Sequence, residues 1–286
     1  MIGRFGLALA ALALSAPAGA RTILFVGNSF TYGAGSPVQR YRPELVRDLG
    51  GEGIGGVPAL FATFAQQLKL DWQVSLETSP GKDLAWHLAQ RRDVIARPWD
   101  VVLLQGYSTL DRERPGDSVR HGAAAGELVS VLRAANPRVS VRLVSTWSRA
   151  DLTWQPGGHW YGQDIHRMAQ DLALANCRIT AANGLLGQPV PVGQAWGRAM
   201  RQRLADPNPY DGLAPGQIDL WGADHYHAST AAYYLEALTV FGAVTGIDPR
   251  RLGRNERAAR ELGLAPKVTV RLQAVAAAQL REKACP

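Results

Sequence analysis

Three residues in this chain have the types and spacing for nucleophilic chemistry: Ser29, Asp224 and His227. Ser29 stands in Asn28-Ser29-Phe30, directly behind the apolar run Thr22-Ile23-Leu24-Phe25-Val26-Gly27. A continuous apolar run of this kind reads as a parallel strand buried on both faces. Its carboxyl end, where Gly gives way to small polar residues, is where open α/β sheets place their ligands. A serine held there has neighbouring backbone N–H groups free to stabilise a developing oxyanion. Asp224 and His227 stand three residues apart in Asp224-His225-Tyr226-His227, just before Ser229. On one loop, such a carboxylate can hold the imidazole tautomer while the other ring nitrogen faces a serine. Each residue also has a structural reading. Ser29 or Thr31 would cap a helix after the strand, and Asp224 or His227 would cap the one that follows. His225, beside Asp224, is a competing imidazole at the wrong spacing.

The elements that must position these residues alternate between strand and helix. After the first strand, Val57, Leu60, Phe61, Phe64 and Leu68 lie on one face of a helix. Trp72, Val74 and Leu76 alternate with polar residues as in a half-buried or edge strand. Asp83 to Ile95 reads as helix, Val101 to Leu104 as a central strand, 118–135 as helix and 139–146 as strand. A long helix is expected over 163–182 and a short fifth strand over Val190 to Val192. Ser229 to Thr245 reads as a helix capped by Ser229 and ended by Gly246. The 252–283 region reads as extra C-terminal helix. Repeated βα units imply a parallel sheet with helices on both faces.

An ordered series of short blocks resembles the SGNH, or GDSL-like, hydrolase superfamily. The first is Gly27-Asn28-Ser29-Phe30-Thr31, where the family more often has Gly-Asp-Ser. The second is Pro80-Gly81-Lys82-Asp83-Leu84 with His87 beyond it, and the third is Val101 to Ser108. The last is Asp224-His225-Tyr226-His227-Ala228-Ser229. The segment Pro191 to Trp196 also resembles a stretch found in exported members whose first block reads Gly-Asn-Ser. The resemblance implies a three-layer α/β/α, flavodoxin-like parallel sheet of about five strands. It implies Ser29 as nucleophile, Asp224 and His227 as its triad partners, and the N–H groups of Ser29 and Gly81 as oxyanion donors. The third block lacks the Gly-x-Asn-Asp pattern whose Asn supplies a third donor. An amide is the natural substitute, because it donates without carrying charge. Gln105 is therefore expected in that role, with Ser108 next in line, unless Gln105 is a buried amide satisfying backbone groups.

These residues together imply a serine esterase working through an acyl-enzyme, with no metal or organic cofactor. O-acetyl groups on carbohydrate are one substrate class. Trp147, Trp154 and Trp160, near the fourth strand end, would stack on sugar rings, or else form a lid or core. Two alternatives use the same chain: acyl transfer to a polysaccharide hydroxyl, and a catalytically inactive carbohydrate- or envelope-binding module.

Composition narrows the partners. Residues 1–20 have a basic start at Arg4, an apolar stretch through Leu14 and Ala18-Gly19-Ala20 at the end, the pattern of a signal peptide cleaved after Ala20. Residues 21–286 then form a single hydrolase domain, exported to periplasm or medium, without stable membrane insertion. The formal net charge is +7, yet arginines such as Arg91, Arg133 and Arg251 are scattered, so no nucleic-acid surface is expected. Gly27, Gly33 and Gly35 do not make a dinucleotide fingerprint. Neither CxxC nor HExxH occurs, and His159 and His166 lack metal-ligand spacing, so no metal site is expected. Cys177 and Cys285 allow one disulfide, which would tie the C-terminal tail to a central helix.

Overall fold

The computed structural model describes residues 19–285. The signal-peptide reading falls on residues 1–20, of which 1–18 lie outside the described residues. In chain order the first half runs β1 (Arg21–Gly27), α1 (Ser29–Tyr32), β2 (Val46–Asp48), α2 (Gly56–Gln67), β3 (Trp72–Thr78), α3 (Leu84–Gln90), α4 (Arg92–Ile95) and β4 (Val101–Leu104). It continues with α5 (Val119–Ala135), β5 (Ser140–Val144), α6 (Ala150–Trp154), α7 (His166–Ala182), β6 (Leu186–Val190), α8 (Val192–Arg201), α9 (Thr230–Thr245), α10 (Arg257–Glu261) and α11 (Pro266–Leu280).

The strands form one six-stranded sheet in the order β2-β3-β1-β4-β5-β6, and every pairing is parallel. Without β2 this is the flavodoxin-like order around a central β1, so the expected architecture holds. The expected strand count was one short. β2 has only three residues and pairs with β3 alone, from Val46 opposite Val74 to Asp48 opposite Leu76, too short to leave an alternation in the sequence.

β1 is buried on both faces, which is why its sequence is apolar without a break. Ile23 and Phe25 enter one core with Phe61 and Phe64 of α2, Trp196 of α8, Phe241 of α9 and Leu272 of α11. Leu24 and Val26 enter the opposite core with Leu84, Ile95, Leu128 and Leu132. Burying a side chain of this size stabilises the fold by about 1.5–3 kcal/mol.

Two local expectations need correction. The helix expected from Asp83 to Ile95 is two, broken at Arg91, whose φ of −129° is not helical. The fifth strand lies at Leu186–Val190 rather than 190–192, because Pro191 turns the chain and Val192 opens α8. Pro189 is tolerated within it because β6 is an edge strand. The α9 boundaries agree with the sequence: Ser229 accepts from Ala232 N–H, and Gly246 closes the helix at φ 72°.

Cys177 of α7 and Cys285 form a disulfide that ties the C-terminal tail to the body. Among the described residues no helix is long and apolar enough to cross a membrane. Chain order reverses at β1, whose neighbours are β3 on one side and β4 on the other. The crevice at their carboxyl ends is where such sheets bind ligands.

Candidate active site

The turn after β1 is built from buried polar groups. Gly27 is required there: a Cβ would collide with Thr31 Oγ1 and stand 2.7 Å from Gln105 Oε1. Asn28 caps α1, its Oδ1 accepting from Phe30 N–H at 3.2 Å. Its Nδ2 donates to the carbonyls of Lys82 at 2.9 Å and Gly106 at 3.0 Å. Asp, which the superfamily more often has here, would face two carbonyl oxygens with no hydrogen to give. The Asn is therefore fitted to this turn. Ser29 follows, 6% exposed, and the Tyr233 hydroxyl donates towards the Ser29 carbonyl at 3.2 Å.

Gln105 belongs to the same network. Its Oε1 accepts from Asn28 N–H at 3.0 Å and from the Thr31 hydroxyl at 3.0 Å. A backbone N–H can only donate, so the atom facing it must be the oxygen. That orientation sends Nε2 to the neighbouring Gly106 carbonyl. Gln105 thus has the backbone-satisfying place that its alternative reading gave it, with one Nε2 hydrogen on Gly106 and the other without a bond among the described residues. Its amide oxygen ties the end of β4 to the turn after β1.

Asp224 and His227 meet on the loop before α9. His227 Nδ1 lies 2.6 Å from Asp224 Oδ2, while Asp224 Oδ1 accepts from the N–H groups of Tyr226 at 3.0 Å and His227 at 2.9 Å. Partial burial pushes the Asp224 pKa up, but the hydrogen bonds from the His227 ring and the two backbone N–H groups outweigh it, and the net shift is downward. The carboxylate is thus held ionised, facing the imidazole. His227 Nε2 is buried and has no partner, so Ser29 Oγ does not hydrogen-bond to it in this arrangement. Phe30 joins the two halves, its ring 5.7 Å from that of His227 and 5.3 Å from that of Tyr226. His225 is turned away, with φ 55° and its ring 4.3 Å from Tyr210.

Gly81 lies on the turn between β3 and α3 at φ 64°, a backbone geometry that favours glycine. Among the described residues neither its N–H nor that of Ser29 makes a hydrogen bond, leaving both as donors. Arg112 Nη2 donates to the Gly81 carbonyl at 2.9 Å. Ser108 is buried, and its hydroxyl accepts from Arg149 Nη1 at 3.3 Å. Arg149 in turn pairs with Asp151 and lies 3.8 Å over the Tyr226 ring.

The tryptophans divide. Trp147 is fully buried, stacked between Phe30 at 4.2 Å and Trp196 at 4.6 Å. Trp160 is buried with its Nε1 donating to Asp171 at 2.9 Å. Neither presents a face to a sugar, so the platform expectation is corrected for both: they are core. Trp154 is half-buried and lines a shallow cleft with Met200, Pro207 and Asp211. Sequence reading missed Tyr233, Arg112 and Arg149, which approach the turn, the Gly81 loop and Tyr226 from far along the chain. Among the described residues no group of three or more His, Cys, Asp or Glu side chains is arranged to hold a metal ion.

No family model matches the chain, and no curated protein is significantly similar to it. Solved structures do resemble it. A DUF4886 family protein from Bacteroides uniformis superposes with a TM-score of 0.61 at 16% identity, over 91% of this chain and 95% of that one. A protein from Parabacteroides merdae, described as a candidate GDSL-like lipase, gives 0.54 at 16% identity over 80% and 96%. Axe2, an acetylxylan esterase from Geobacillus stearothermophilus, there a catalytic mutant, gives 0.50 at 17% identity over 87% and 97%. The fold is that of the SGNH hydrolases.

Proposed function

We propose that this protein is a serine esterase that cleaves carboxylic esters through Ser29, His227 and Asp224. The observation that carries the reading is the Asp224–His227 pair, whose Nε2 is left without a partner beside the Ser29 turn. His227 Nε2 takes the Ser29 proton as Oγ attacks the ester carbonyl. Asp224 fixes the ring tautomer and stabilises the imidazolium that forms. The tetrahedral oxyanion is held by the N–H groups of Ser29 and Gly81. His227 then protonates the leaving alcohol, and water repeats the sequence on the acyl-enzyme. Ser108 stands as a further donor to the oxyanion, and Trp154 as the tryptophan left to touch substrate. Export follows from the sequence of residues 1–20.

For the acyl group we propose O-acetyl on carbohydrate, the reading favoured by the fold shared with an acetylxylan esterase. The test is hydrolysis of 4-nitrophenyl acetate, a longer-chain aryl ester and acetylated xylo-oligosaccharide. Acetate release from the first and third is expected, with loss of at least about 10³-fold in Ser29→Ala and His227→Ala. Full retained activity in either variant removes the triad. Preference for the long-chain ester removes the acetyl assignment.

A further inference from the structure

The Ser29 turn and the Gly81 loop come from different strands, yet their two N–H groups must converge on one oxygen. Something has to hold that spacing. One link is the bond from Asn28 Nδ2 to the Lys82 carbonyl, at 2.9 Å. The second is deeper. His87, on α3 six residues beyond Gly81, is fully buried and places Nε2 2.9 Å from the Gly27 carbonyl oxygen. A carbonyl only accepts, so Nε2 carries a proton and donates. The same carbonyl also accepts from Ser79 N–H at 3.1 Å. Since Asn28 N–H donates to Gln105, the whole Gly27–Asn28 peptide plane is clamped at both ends.

Behind His87 stands Glu77 of β3, 1% exposed, with Oε1 3.7 Å from His87 Nδ1. Arg91, at the end of α3, grips both Glu77 oxygens at 2.8 and 2.9 Å and donates to the Leu49 carbonyl at 3.1 Å. α3 is anchored at its start too, where Asp83 accepts from Trp86 N–H at 2.8 Å. The Gly81 loop therefore leads into a helix whose first turns are bolted to the strand that carries the nucleophile. None of Glu77, His87 or Arg91 is needed for the proton transfers.

We propose that His87 is a positioning residue that sets the spacing between the Ser29 and Gly81 oxyanion donors, with the Glu77–Arg91 pair anchoring α3 to β3 behind it. The inference rests on the esterase reading above. It assigns a purpose to a buried histidine that neither the proton transfers nor apolar packing requires. Loss of the link lets the two donors drift, which weakens binding of the charged tetrahedral state more than binding of the neutral ester. The effect belongs on kcat and not on KM.

The experiment compares wild type, His87→Leu, His87→Gln and Glu77→Gln on 4-nitrophenyl acetate, with thermal midpoints measured in parallel. Misplacing a donor by an ångström costs about a hundredfold, so His87→Leu is expected to lose about that in kcat with KM within about threefold. His87→Gln, whose amide can still donate to the Gly27 carbonyl, is expected to recover most of the loss, and Glu77→Gln to fall between. Wild-type kcat in His87→Leu overturns the proposal, as does an equal loss in Leu and Gln that follows the thermal midpoint alone. Should His87→Leu fail to fold, the remaining pair decides: Glu77→Gln with wild-type kcat, or His87→Gln with KM and kcat equally damaged, overturns it. A wild-type protein that hydrolyses no ester, or Ser29→Ala as active as wild type, defeats the esterase reading and this inference with it. The first set of outcomes defeats the inference alone.

Discussion

The two halves of the candidate site are held in opposite ways. The turn bearing Ser29 is buried, and its peptide groups are tied to β3, β4 and α3 through Asn28, Gln105 and His87. The loop bearing Asp224 and His227 is more exposed and carries more of its own bonds, with Trp147 Nε1 and Asp151 N–H as outside donors to the Tyr226 and His225 carbonyls. Gly222 N–H bonds to the His227 carbonyl at 2.7 Å, His225 N–H to Gly222 at 2.9 Å, and Asp224 is 49% exposed. One half is rigid because its polar groups cannot reach water and must be satisfied internally. The other is freer to adjust, which suits the role of base proposed for His227. Damage to the two halves should therefore show in different measurements.

The sharpest separation is between Asp224→Asn and Asn28→Asp. The first leaves the loop in place but removes the charge that orients His227, so activity should fall about 10³–10⁴-fold, with little change in unfolding free energy. The second puts a carboxylate against the Lys82 and Gly106 carbonyls and strands it there. A loss of roughly 3–5 kcal/mol in chemical denaturation is expected, as for an unpaired buried charge. Comparable destabilisation by both would break the division into a rigid and an adjustable half.

A smaller effect distinguishes the two carboxylates in acid. For Glu77, burial works to raise the pKa, but its surroundings, above all the paired Arg91, prevail and lower it from the ordinary 4.5. A lowered folded-state pKa means stability that is present above the unfolded value and lost as pH falls below 4.5 towards the folded one. Asp224 is shifted in the same direction, but at its exposure solvent screens the effect. Glu77→Gln should therefore flatten the acid limb of a stability–pH profile, whereas Asp224→Asn should leave it nearly as in wild type. An acid limb unchanged in Glu77→Gln would contradict the contrast.

The same division governs what could be read from the residues alone. Ser29, Asp224 and His227 are legible because strand-end chemistry and an i, i+3 carboxylate–imidazole pair are local patterns, and β1 and β4 are legible because burial on both faces leaves an apolar run. In the rigid half the residues are legible but their contacts are not. Gln105 stands where a donor is wanted, but which end of its amide faces Asn28 is decided by a partner 77 residues away. Asn28 looked like a departure until its two carbonyl partners were in view. Trp147 lies at a strand end, where an aromatic can face either substrate or core; Phe30 and Trp196 decide for the core. Glu77 and Arg91 carry no pattern at all, and His87 is legible only as a residue beyond the Gly81 block, because strand, loop and helix bring the three together only on folding.

Reaction of the full protein with a fluorophosphonate, followed by identification of the modified peptide, tests Ser29 as the nucleophile. Modification of Ser29 alone, abolished in Ser29→Ala and strongly slowed in His227→Ala, is the expected result. An unmodified Ser29 in protein that still hydrolyses esters, or a label carried on another residue, would contradict it.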